Sequence, residues 1–132
     1  MSKQVLQPPT WPRPKGYANG VAGRGQMIFV AGQVGWDERC EVVSDDFVAQ
    51  VRQALGNIVA ILAEAGAKPE HIMRMTWYVT DKDEYMAANR DIGKVFKELI
   101  GNYGIAMTAV QVAGLVEVGA KVEIEVTAML PD

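Results

Sequence analysis

Apolar positions recur along this chain with two different periods, and the switches between them set the order of elements. Met27 to Val34, MIFVAGQV, is apolar on both alternating faces until Gln33, which predicts a strand buried on both sides. Gly25-Gln26 before it and Gly35 after it bracket the strand. Phe47, Val51, Leu55, Ile58, Leu62 and Ala65 then follow at spacings of three and four. That is one face of an amphipathic helix of about five turns. Ser44-Asp45-Asp46 supplies N-cap candidates and first-turn acids, and Gly66 a natural stop.

Ile72 to Val79 alternates again. Arg74, Thr76 and Tyr78 point one way, and Met73, Met75, Trp77 and Val79 the other. A second helix is predicted from about Asp83 to Leu99, with Tyr85, Ala88, Ile92, Phe96 and Leu99 as its seam, and Gly101 and Gly104 break the chain after it. Two strands close the pattern, near Met107 to Val112 and Lys121 to Met129. The last carries Val122, Ile124, Val126 and Ala128 on one face and Glu123, Glu125 and Thr127 on the other. The order is β-β-α-β-α-β-β, an α+β domain with two helices on one face of a mixed sheet. The uncovered face would mix glutamates and threonines with apolar residues. Such a face suits a subunit interface with clefts, so an oligomer is expected.

The first sixteen residues carry Pro8, Pro9, Pro12 and Pro14, so residues 1–16 read as an extended arm and 17–132 as one domain. A chain of 132 residues has no room for a second core of useful size. The single Cys40 has no internal partner for a disulfide, which fits a reducing compartment. Neither a signal-peptide stretch nor an apolar run of membrane-spanning length is visible, so a cytoplasmic, soluble protein is expected. The net charge is −3 with both signs interspersed, which argues against a nucleic-acid surface.

Few residues offer chemistry. His71 and Cys40 are alone of their kind and in no ligand-spaced cluster, so no metal is expected. Asn89 falls in the apolar seam of the second helix, where a buried amide needs partners. It either bonds to a strand end or reaches a cleft. Glu123 either faces water or, if another subunit covers its face, becomes a carboxylate in a partly dry cleft. There it could hold a water or act as a general base.

Several blocks, in order, resemble the RidA (YjgF) family. They are Ile28-Phe29-Val30-Ala31-Gly32-Gln33, then Phe47 to Ile58 with Leu62-Ala63-Glu64-Ala65-Gly66, then Met75 to Asp81. Ala109 to Leu115 and Val122-Glu123-Ile124-Glu125 continue the match. The resemblance implies an α+β fold similar to the small trimeric chorismate mutase. It implies a homotrimer binding small acids in clefts between subunits. It further implies hydrolysis of reactive enamines and imines to keto acids and ammonia, with no cofactor. By the same resemblance Tyr17, Gly32 and Asn89 match family cleft positions and Glu123 would position water, while in an enzyme backbone groups near Gly32 and Val110 would hold the substrate. The chain departs from the family where Pro-x-Arg is replaced by Ile105-Ala106-Met107. Methionine supplies neither the charge nor the paired donors with which arginine grips a carboxylate. Trp36, where the family often has a smaller residue, would either join Met107 and Tyr17 in a cleft suited to an aromatic or apolar ligand or, with Met107, simply pack the interface. Arg13, Arg24 and Arg39 are candidates to replace the missing cation. A deaminase with a shifted substrate range, a non-catalytic metabolite-binding trimer and an RNA-cleaving translation inhibitor are thus the functions to weigh. The acidic balance disfavours the last.

Overall fold

A computed structural model describes residues 3–132. Met1 and Ser2, the start of the expected arm, lie outside the described residues. The remainder of the arm is more ordered than its prolines imply. Lys3–Leu6 (β1) pairs antiparallel with Gly20–Gly23 (β2), and the prolines occupy the connection between them. Lys3 fastens this ribbon to the domain, because its Nζ donates to the Ile72 carbonyl at 2.7 Å.

The main sheet comprises β3 (Gln26–Val34), β4 (Ile72–Val79), β5 (Ala106–Gln111) and β6 (Val122–Leu130), in the order β3-β6-β4-β5. β6 runs antiparallel to both neighbours, while β4 and β5 are parallel. A parallel pair needs a crossover, and the second helical region supplies it.

The first helix, α1, spans Phe47–Glu64. Asp46 caps it, accepting from the Ala49 amide at 2.8 Å, and Ser44 Oγ accepts from the Asp46 amide at 2.9 Å. Gly66 takes φ 73°, and the amides of Gly66 and Ala67 close back on the carbonyls of Ala63 and Leu62. This Schellman closure needs a left-handed residue, which only glycine adopts at no steric cost.

The expected second helix is two. α2 (Lys82–Ala87) is capped by Asp81, and α3 (Asn89–Leu99) follows after Ala88 turns to φ −90°, ψ 2°. The seam residues Tyr85, Ala88, Ile92, Phe96 and Leu99 do pack on the core. Asn89 does not join them. It is exposed at the first position of α3, on the flank of the seam rather than within it. No hydrogen bond to its side-chain amide forms among the described residues.

Both helical regions lie on one face of the sheet. Val30, Met75, Trp77, Val79, Val122, Ile124, Val126 and Ala128 meet α1 and α3 there. β3 departs from expectation, since only one of its faces is covered within this chain. Val30 is 4% exposed, but its neighbour Phe29 on the other face is 73% exposed.

Candidate functional site

The open face of the sheet carries the polar chemistry. Register aligns Tyr78 with Glu123 on one side and Val110 on the other, giving a row Glu123–Tyr78–Val110 across β6, β4 and β5. One step along the strands, Thr76 lies beside Glu125; beyond it, Arg74 lies beside Thr127, which itself pairs with Phe29. Alternation places all of these on the side away from the helices.

β3 is interrupted at this face. Its pairing with β6 shifts register between Val30 and Gln33, so Ala31 and Gly32 stand out of the ladder. Such a bulge re-aims side chains and frees backbone groups, and bulges concentrate beside active sites. The Ala31 carbonyl accepts from Gln33 Nε2 at 3.1 Å. Gly32 leaves room for an acid, since a Cβ there would stand 2.0 Å from Glu123 Oε2 and 2.8 Å from its Cδ. The Glu123 carboxylate therefore lies directly over Gly32, in space only glycine leaves open.

The sheet end that carries Glu123 is held from beneath. Gln50 is completely buried on α1. Its Nε2 donates to the carbonyls of Ser44 (2.8 Å) and Gly119 (3.0 Å), and its Oε1 accepts from the Lys121 amide (2.8 Å). Every hydrogen-bonding position of the amide but one lone pair is thus engaged, and the start of β6 is tied to α1. Gly35 lets this occur, since a Cβ there would meet Gln50 Cα at 2.6 Å.

Two carboxylates and a phenol share the face. Tyr78 Oη donates to Glu125 Oε1 at 2.6 Å. That bond raises the phenol's pKa above its ordinary value, with desolvation and the charges of Glu125 and Glu123 adding to it. Tyr78 therefore stays protonated and holds Glu125 turned toward it. The face is hollowed into a groove of about 500 Å³ lined by Phe29, Ala31, Arg74, Thr76, Glu125 and Thr127.

The sequence-derived candidates separate into three places. Glu123, Gly32 and Val110 come together on the open face. Tyr17 is exposed beside the far edge, where its neighbour Ala18 bridges Ala106 of β5 and donates to the Ile105 carbonyl at 2.8 Å. Met107 pairs with the fully buried Met75 and packs against the core, so its side chain is on the helix-covered face rather than beside Glu123. Trp36 lies just beyond β3, in a turn bridged to Val42, its carbonyl accepting from Asn57 Nδ2 at 2.9 Å. Asn89 is on the helical layer, exposed. Arg13, Arg24 and Arg39 are exposed in connecting segments, and none lines the groove.

The groove's own cation is Arg74, and sequence reasoning passed over it together with Tyr78 and Glu125. The signal was present in the alternation of Ile72–Val79. What was lacking was the register that sets β4 against β6. Among the described residues, no group of three or more His, Cys, Asp or Glu is placed to hold a metal ion, and no helix is long and apolar enough to cross a membrane.

A four-stranded mixed sheet with helices on one face and an acidic, bulged open face defines a small α+β protein of the chorismate-mutase-like kind. Residues 12–130 match the family model described as Endoribonuclease L-PSP. A RutC family protein of Pyrococcus abyssi is 34% identical over 116 residues, covering 87% of this chain and 88% of that one. The 2-iminobutanoate/2-iminopropanoate deaminase of Salmonella typhimurium is 34% identical over 113 residues, covering 86% of each. The crystal structure of YyfB, a Rid family protein of unknown function from Yersinia pestis, aligns with a TM-score of 0.84 at 31% identity, over 98% of this chain and 100% of that one. The chain belongs to the RidA/YjgF family.

Proposed function

We propose that this protein is a hydrolytic deaminase of a reactive enamine or imine, working without a cofactor in clefts between the subunits of a cytoplasmic homotrimer. Its substrate range departs from that of relatives with arginine where this chain has Met107. The observation that carries the reading is the Glu123 carboxylate lying over Gly32 at the β3 bulge. Family membership and the activity named for the Salmonella relative support the reaction class.

The chemistry needs water and a positioned base. An enamine first takes a proton on carbon and gives one up from nitrogen, becoming the imine. Glu123 accepts a proton from water as its oxygen bonds to the imine carbon, and the nitrogen gains a proton. The resulting carbinolamine loses ammonia as its C–N bond breaks and the carbonyl forms. One imine and one water thus give one carbonyl compound and one ammonia. A fixed carboxylate contributes typically about 10²–10⁴-fold to such a step. The trimer reading draws on the open face, where Met27, Phe29 and Val110 are 52%, 73% and 41% exposed beside polar residues. Apolar groups in that number favour cover by further copies.

A second reading, a trimer that binds a small metabolite without catalysis, draws on Met107, which brings no charge to the cleft and packs on the core. An RNA-cleaving role has no support in a net charge of −3. The test is ammonia release from freshly generated 2-aminoacrylate and from a bulkier aromatic imine, with Glu123→Ala and Glu123→Gln as controls. Release that falls at least about 100-fold in both variants supports the deaminase. Release that persists in both overturns the role given to Glu123, and an inert wild type favours the binding reading.

A further inference from the structure

Imine hydrolysis needs a proton delivered to nitrogen as well as one taken from water, and Glu123 accounts only for the second. The row that holds Glu123 offers a donor. Tyr78 on β4 pairs with Glu123 on β6 and with Val110 on β5. Side chains directly opposite on antiparallel strands have Cβ atoms about 4.5–5.5 Å apart, so the phenol and the Glu123 carboxylate share one small space. Among the described residues that β4, β5 and β6 turn to this face, threonine hydroxyls and the Arg74 guanidinium keep their protons, and the glutamates accept rather than donate. Tyr78 is left as the side chain that joins a transferable proton to a place beside Glu123.

We propose that Tyr78 is a catalytic residue of this site, the acid that gives its hydroxyl proton to the substrate nitrogen. The assignment deepens the deaminase reading and rests on it. As the water oxygen bonds to the imine carbon, Glu123 takes a proton from that water and Tyr78 Oη gives one to nitrogen. The protonated Glu123 then returns its proton to the phenolate across the row, directly or through a water. The same exchange repeats when the carbinolamine collapses. Tyr78 protonates the leaving nitrogen, the C–N bond breaks, and Glu123 takes the hydroxyl proton as the carbonyl forms. Both protons of the water end on ammonia, and both side chains end as they began. Glu125 prepares the donor. Its Oε1 accepts from Tyr78 Oη at 2.6 Å, which fixes the ring. That bond, then desolvation and the charges of Glu125 and Glu123, raise the phenol's pKa and keep it protonated. A weak acid suits an amine-like nitrogen, and a phenolate beside two carboxylates readily takes its proton back.

Steady-state ammonia release by the intact protein, followed across pH, tests this. Tyr78→Phe should lower kcat at least about 100-fold and leave KM unchanged, as loss of a proton donor implies. Tyr78→fluorotyrosine keeps the shape and the hydroxyl but makes the phenol more acidic, so it guards against a Tyr78→Phe chain that merely folds or assembles badly. The donor must be protonated, so kcat is lost as pH rises through the Tyr78 value, and fluorotyrosine should move that upper limit down. Glu125→Gln should move it the same way. The charged groups that face the phenol are Glu123 and Glu125 from β6, with Arg74 two same-face steps along β4, while β5 brings only Val110 and Thr108. A tyrosine that only held Glu125 in place would leave the limit where it is. Undiminished kcat in Tyr78→Phe overturns the assignment, as does an upper limit that fluorotyrosine leaves unmoved. A wild type inert on both imines removes the deaminase reading and the assignment together. An active wild type whose ammonia release needs Glu123 but not Tyr78 removes the assignment alone.

Discussion

Replacing Gly32 with alanine tests whether the Glu123 carboxylate is held where the structure places it. The added methyl would stand 2.0 Å from Glu123 Oε2, 2.8 Å from Cδ and 2.9 Å from Cγ. Ordinary contact begins near 3.4 Å, so the carboxylate must move by about 1.4 Å. Gly32 has no positive φ, so alanine brings no backbone strain of its own. Crowding of this kind costs about 1–3 kcal/mol. With Glu123 cut back to alanine the obstacle is gone, and Gly32→Ala should then stabilise by about 0.4–1 kcal/mol through the unfolded chain. The double-mutant cycle therefore predicts a coupling of roughly 1.5–4 kcal/mol. Urea unfolding at one fixed protein concentration measures it, since assembly would make stability concentration-dependent. The activity prediction is separate: a displacement of about 1 Å at a positioned group can cost about 100-fold, so Gly32→Ala should lower ammonia release on that scale. Additive stabilities in the cycle would refute the close approach of Glu123 to Gly32.

Other consequences follow from the same face and its support. Gln50→Leu should destabilise by about 3 kcal/mol or more in urea unfolding, because it strands two carbonyls and one amide in the interior; a loss under about 1 kcal/mol would mean water reaches them. Gly35→Ala should cost more than Gly32→Ala, since its methyl meets the Gln50 backbone at 2.6 Å rather than a movable carboxylate. Tyr78 should ionise above the ordinary tyrosine value of about 10, read as the difference in phenolate absorbance between wild type and Tyr78→Phe, and Glu125→Gln should bring it down. Because the folded-state value is raised, the stability that this group contributes is whole below pH about 10 and is lost as pH rises through the folded value.

The periodicities alone determined the element order, the helix-covered face and the α+β class, because burial against one layer demands residues at spacings that the chain displays openly. The resemblance to the RidA family was equally legible, from blocks in order. Two local matters were not. The helix from Asp83 to Leu99 breaks at Ala88, and a seam of apolar residues runs across the break without marking it. The proline-rich arm hides a strand, Lys3–Leu6, whose partner is found only once the chain has turned back at Gly20–Gly23.

The site was half legible. Alternation placed Glu123 on the polar face of its strand. Only register decided that it shares a row with Tyr78 and Val110, and only the bulge in β3 decided that it lies over Gly32. Asn89 and Met107 show the converse. The first lies exposed on the flank of the seam at the start of α3, and the parallel register with Met75 turns the second toward the core. Sequence carries the period of a strand but not the offset between two strands, because neighbours across a sheet are distant in the chain. Which tyrosine bonds which carboxylate, as Tyr78 does Glu125, is set by that offset alone.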